Sequence, residues 1–112
     1  MLAKNFRLSK EQDFKRVFSK GQKIFAKTFI IRFLPNLEKN IRLAVIVSNK
    51  ISKKATIRNK IRRRVRDVFK QNLGNFKCNC DIIVTVLPSS LDLKFKELKV
   101  ELIDSLVKAK IV

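Results

Sequence analysis

The sequence predicts an α+β fold, a single sheet with helices packed on it, and three observations predict it. Apolar residues recur at helical spacing near residues 10–20, 57–70 and 91–106. Runs rich in β-branched and aromatic residues at 24–34, 41–47 and 81–87 have the length and composition of strands. The two kinds of segment intermix along 112 residues without repeats or linkers, which fits one domain over residues 1–112.

Each element has its own signals. Ser9 stands where a helix N-cap belongs, and Gln12 is three positions on to close a capping box. Phe14, Val17 and Phe18, at i, i+3 and i+4, share one face of that helix, and Gly21 stops it. Residues 24–34 (IFAKTFIIRFL) read as one strand. Phe25, Lys27, Phe29, Ile31 and Phe33 then point one way, and Ala26, Thr28, Ile30, Arg32 and Leu34 the other. Pro35 and Asn36 end it, and a loop runs to Asn40. Residues 41–47 (IRLAVIV) form a second strand, and a hairpin of these two is the simplest pairing.

Residues 48–56 are polar and basic, with room for a short edge strand. A long helix follows from about 57 to 70, with Asn72 and Gly74 marking its end. Residues 81–87 (DIIVTVL) form another strand, halted by Pro88. Ser89 or Ser90 caps a final helix whose stripe is Leu91, Phe95, Leu98, Leu102 and Leu106. Glu101 and Asp104 are expected on its solvent face. The order is α, β, β, (β), α, β, α.

Charge narrows the function. Lys and Arg number 27 against 9 Asp and Glu, a net charge of +18, where a small domain ordinarily carries about 2–8. Such a body gains by displacing the counterions of a polyanion: RNA, DNA or an anionic membrane. No histidine is present, so the commonest general base and His-based metal sites are excluded. The acidic residues are scattered among basic neighbours, which argues against a two-metal nuclease acting alone. Cys78 and Cys80 are too close for an easy disulfide and too few for a zinc site, so they read as reduced thiols. The N-terminus lacks the apolar core of a signal peptide, and the longest apolar runs are strand-sized, so the expected location is the cytoplasm, with no membrane partner.

The charge is concentrated. Residues 50–70 hold ten Lys and Arg against Asp67 alone, and carry +9 of the +18. At 100° per residue, Ile57, Ile61, Val65, Val68 and Phe69 fall in one arc, which must face the core. Asn59, Lys60, Arg62, Arg63, Arg66 and Lys70 fall on the outer arc, with Arg58 and Arg64 at its margins. Arginine outnumbers lysine five to two from Arg58 to Lys70, which favours bidentate phosphate contacts and stacking on unpaired bases. The helix N-terminus adds a phosphate seat near Thr56 to Arg58. A merely solvated helix face would mix charge signs to form i,i+4 pairs. RNA is the expected partner.

The stretch Ala55-Thr56-Ile57-Arg58-Asn59-Lys60-Ile61-Arg62-Arg63-Arg64-Val65-Arg66-Asp67-Val68-Phe69 resembles the signature helix of the bacterial ribonuclease P protein family. The run from Arg7 through Phe14 and Phe18 to Gly21 looks like that family's opening helix. Element order and length agree, so the resemblance covers nearly the whole chain. It implies an αβββαβα two-layer sandwich with one mixed sheet and a left-handed βαβ crossover, against the usual hand. It implies the non-catalytic protein subunit of an endoribonuclease whose catalytic RNA removes the 5′ leader of precursor tRNA. No protein catalytic residue, no DNA partner and no protein-held metal would be expected, with Mg²⁺ held mainly by RNA.

Carried over by position, the resemblance assigns Arg58, Asn59, Lys60, Arg62, Arg63 and Arg66 to the catalytic RNA. It assigns Arg7, Phe14, Phe18, Arg32 and Lys50 to the leader. Three departures stand out. Lys60 replaces a commoner arginine and loses its fork. The family's usual glycine near Ser52 is missing, and Arg32 stands where an aromatic is frequent, making an ionic leader contact the expectation. The residues alone leave Phe14 and Phe18 open between core packing and base stacking. A ribosomal or general RNA-binding protein would use the same basic helix without needing the Phe14/Phe18 face.

Overall fold

The computed structural model describes residues 6–37, 40–88 and 94–112. Three helices and four strands follow in the order α1 (Glu11–Lys20), β1 (Gln22–Phe25), β2 (Phe29–Pro35), β3 (Arg42–Ile46), α2 (Ala55–Gln71), β4 (Cys80–Val86) and α3 (Phe95–Lys108). The expected α+β architecture with one mixed sheet is present. The sheet order is β1-β2-β4-β3, with β1/β2 and β2/β4 antiparallel and β3/β4 parallel. The parallel pair is joined through α2 in a βαβ unit.

The main core lies between the sheet and the pair α2/α3. Phe29, Ile31, Phe33, Leu43, Val45, Ile82, Val84 and Val86 point from the strands toward Ile61, Val65, Val68, Phe69, Leu98, Leu102 and Leu106. The stripe that the α2 sequence predicts is thus the buried one, with Ile57 packed at its margin. On the opposite face, Val17 of α1 packs with Leu8 and Ile83 in a smaller cluster flanked by Phe14, Leu34, Ala44 and Ile46.

Four local expectations are corrected. Residues 24–34 are two strands, because the chain turns at residues 26–28: Ala26 N–H donates to Phe29 O (2.8 Å), and Leu87 N–H donates to Thr28 O (2.9 Å). The turn reverses the side of Phe25, which pairs with Ile30 and so leaves the face of Phe29. The hairpin of this region with residues 41–47 does not form, since β4 inserts between β2 and β3 and satisfies both. The 48–56 segment contains no strand, and it closes as a turn in which Ile51 N–H donates to Ser48 O (3.0 Å). Finally, the first helix has Lys10 at its N-cap without a side-chain cap, so the Ser9/Gln12 box is not made.

The final helix starts at Phe95, after Lys94. The expected Ser89 or Ser90 cap and Leu91 lie outside the described residues. Glu101 is not on the solvent face: it is half-buried, and its Oε1 accepts the Thr28 N–H at 2.7 Å, locking the β1–β2 turn to α3. Asp104 is exposed as expected. Gly21 ends α1 for a steric reason. A Cβ there would lie 2.4 Å from Val17 O and 3.0 Å from Phe33 O, so only glycine lets the chain turn this close to the sheet.

Candidate nucleic-acid interface

α2 forms where it does because its apolar residues keep a 3.6 spacing over four turns, and burying that stripe fixes the opposite arc toward solvent. Asn59, Lys60, Arg63 and Lys70 are exposed, while Arg58, Arg62 and Arg66 are half-buried. Two of the half-buried arginines, Arg58 and Arg62, are anchored by hydrogen bonds. Arg58 Nη1 donates to Ser52 O (2.8 Å), and Arg62 donates to Asn59 Oδ1 (2.8 Å) and Val47 O (3.3 Å). These bonds aim the guanidinium groups without neutralising them. Asn59, Arg62, Arg63, Arg66 and Asp67 surround a depression of about 450 Å³. Arg64 departs from this set, lying 6.0 Å from the Phe95 ring centroid toward α3.

Cations outnumber acids on this face, and Asp67 is the one acid of α2. The Arg66 pKa is lowered from its ordinary value by burial, and further by the positive charges of Arg7 and Arg62. Repulsion among these arginines is relieved by an incoming anion. Arg7 reaches this neighbourhood because residue 7 bridges to Leu43 at the outer edge of β3, and Leu8 N–H donates to Leu43 O at 2.9 Å. Lys50 lies at the other end of the helix, where it lines a depression of about 500 Å³ with Asn49, Lys53 and Arg58.

The second surface is built from α1 and the sheet face beneath it. Register places Lys23, Arg32, Ile83 and Ala44 in one row and Phe25, Ile30, Thr85 and Ile46 in the next. α1 covers the first row in part, through Val17, and leaves Ile30, Thr85 and Ile46 half-buried beside it. Phe14 is half-buried against the small cluster, so it has a packing role. Phe18 is 47% exposed, and the Arg32 guanidinium sits 4.8 Å from its ring centroid. Arg32 is held in turn by a 3.2 Å hydrogen bond from Nη1 to Thr85 Oγ1. The structure thus brings Phe18 and Arg32 together, and it sets Arg7 and Lys50 beside the α2 residues.

What fixes α1 over the sheet is a buried carboxylate that the sequence reading passed over. The Asp81 side chain is fully buried. Its Oδ2 accepts from Arg16 (2.6 Å) and Arg42 Nη2 (2.8 Å), and its Oδ1 from Asn36 (2.7 Å) and Arg42 Nε (2.8 Å). Asp13 lies 3.3 Å from both arginines. Burial pushes the Asp81 carboxyl up, but the hydrogen bonds from Arg42, Asn36 and Arg16 outweigh it, and its pKa ends below the ordinary value. The available signal was a lone acid heading an otherwise apolar strand, since a buried charge requires partners.

Both cysteines are free thiols; Cys80 is buried, and burial together with hydrogen bonding to Cys78 pushes its pKa to about 12. Among the described residues no group of three or more His, Cys, Asp or Glu gathers to hold a metal ion, and no helix is long and apolar enough to cross a membrane.

The family model described as Ribonuclease P matches residues 2–110. The chain belongs to the ribonuclease P protein family. Among its relatives, the ribonuclease P protein component of Pseudanabaena sp. is 32% identical, over 99% of this chain and 97% of that protein. That of Shouchella clausii is 32% identical over 98% and 90%. A Staphylococcus aureus RNase P protein mutant with defective mRNA degradation activity superposes with a TM-score of 0.91 at 31% identity, covering 97% of this chain and 92% of that one. The Thermotoga maritima RNase P protein superposes at 0.80 with 29% identity, over 88% and 92%.

Proposed function

We propose that this family member is the protein subunit of ribonuclease P and assists endonucleolytic removal of the 5′ leader from precursor tRNA. The outer face of α2, with Arg58, Asn59, Lys60, Arg62, Arg63 and Arg66, docks on the catalytic RNA. The α1 side of the sheet, with Phe14, Phe18 and Arg32, holds the single-stranded leader, and Arg7 and Lys50, which lie beside α2, add cationic contacts to it. The RNA carries the phosphodiester chemistry and holds the Mg²⁺ that it uses, and the site of action is the cytoplasm. The observation that carries this reading is the outward basic arc of α2, where Arg62, Arg63 and Arg66 border one depression opposite the buried apolar stripe.

Binding is expected to be driven by counterion release, with specificity supplied by the shape of the RNA and by stacked bases. The test is cleavage of precursor tRNA at physiological magnesium. The protein alone should cleave nothing, and adding it to its RNA subunit should raise the rate. Arg63→Ala should weaken RNA affinity and lower the slope of log K against log salt by about one. Absence of stimulation, with binding to ribosomal RNA instead, would replace this reading with that of a general RNA-binding protein.

A further inference from the structure

Phe25 is a large apolar side chain left 70% exposed on an edge strand, and neither reading above accounts for it. Its surroundings are specific. Lys23, two residues earlier and on the same side of β1, places Nζ 5.1 Å from the Phe25 ring centroid. Lys23 is also the direct cross-strand partner of Arg32, the residue that stacks on Phe18. Phe18, Arg32, Lys23 and Phe25 therefore form one continuous series, aromatic, cation, cation, aromatic, running from α1 across β2 to the sheet edge. Among the described residues neither cation forms an ion pair with a carboxylate. Phe25 also borders a depression between β1 and α3, where Glu97, Glu101 and Asp104 are matched in number by Lys27, Lys96 and Lys108.

We propose that Lys23 and Phe25 form a further subsite for single-stranded RNA, which takes leader nucleotides beyond those at Phe18. The chemistry suits that occupant. Exposed rings offer sequence-tolerant stacking platforms, and cations between them meet the phosphates that connect successive bases. Lys23 has a flexible stem, so it can leave the ring for a phosphate and free that face for a base. Strand spacing makes the path from Phe18 to Phe25 on the order of 15 Å, the span of about four stacked nucleotides.

The inference rests on the leader reading of the α1 face, and the experiment separates the two. Affinity of the reconstituted holoenzyme is measured for precursor tRNAs whose leaders run from one to about ten nucleotides. Phe25→Ala should weaken binding roughly fivefold or more for leaders longer than about five nucleotides, and leave one-nucleotide leaders unaffected. Phe25→Trp should restore it. Phe25 is exposed, so thermal melts of the variants should match the parent. Silence of Phe25→Ala at every length, while Phe18→Ala weakens binding, overturns this inference alone. Equal weakening at every length also overturns it, because Phe25 would then touch the RNA subunit or another protein. Silence of both variants overturns the leader reading itself.

Discussion

Asp81→Asn tests the node that holds α1 on the sheet. The wild-type carboxylate accepts four N–H groups at 2.6–2.8 Å from Arg16, Arg42 and Asn36. Hydrogen bonds to a charged group are worth about 1.5–3 kcal/mol each, but these four share one acceptor whose burial opposes them, so they do not add. Removing one side of a buried ion pair costs about 3–5 kcal/mol, because the remaining charge stays desolvated. Asn keeps one acceptor oxygen and turns an NH₂ toward donors, which places it near 3 kcal/mol, at the lower end of that range. Against a total of about 5–15 kcal/mol this is a large loss, and at about 4 °C per kcal/mol it lowers Tm by about 12 °C.

The assay is urea denaturation followed by circular dichroism, with exposed Asp104→Asn as the control, expected within about 0.5 kcal/mol of the parent. The pH dependence has a definite sign. The folded carboxyl titrates below its unfolded value, so its contribution is complete above about pH 3.9 and is lost as pH falls through the folded value. The parent should therefore lose stability below about pH 4 more steeply than the variant. A cost for Asp81→Asn no larger than that of Asp104→Asn would refute the argument.

Three further outcomes are expected. Gly21→Ala should cost about 1–3 kcal/mol in a urea melt, because the new methyl meets Val17 O and Phe33 O and the backbone must shift. Sulfate or phosphate should raise Tm by binding the folded cation cluster around Arg66, and a melt unchanged by sulfate would count against it. Cys80 should react with a thiol reagent at pH 8 on the order of a thousandfold more slowly than a free thiol, since its pKa is pushed to about 12, and labelling followed by mass spectrometry reads this directly.

The Phe14 side chain illustrates how far residue pattern reaches. Spacing placed it with Val17 and Phe18 on one helix face, yet tertiary packing divides the three: Val17 is fully buried, Phe14 half-buried and Phe18 largely open. Likewise the outer arc of α2 was legible from periodicity, but the half-burial of Arg58 and Arg62 depends on Ser52 O and Val47 O, carbonyls of the preceding segment. Arg16, Arg42 and Asp81 gave no sign of one another because 26 to 65 positions separate them.

By itself, the sequence determined the basic face of α2, the α+β class and the family motif. Each of these rests on local periodicity or composition, which neighbouring residues fix. Strand order, the break at residues 26–28, the Asp81 node and the neighbours of Arg7 and Lys50 were decided only in the tertiary structure. They depend on which distant backbone edge offers a partner, and residue pattern records that a partner is needed without recording where it lies.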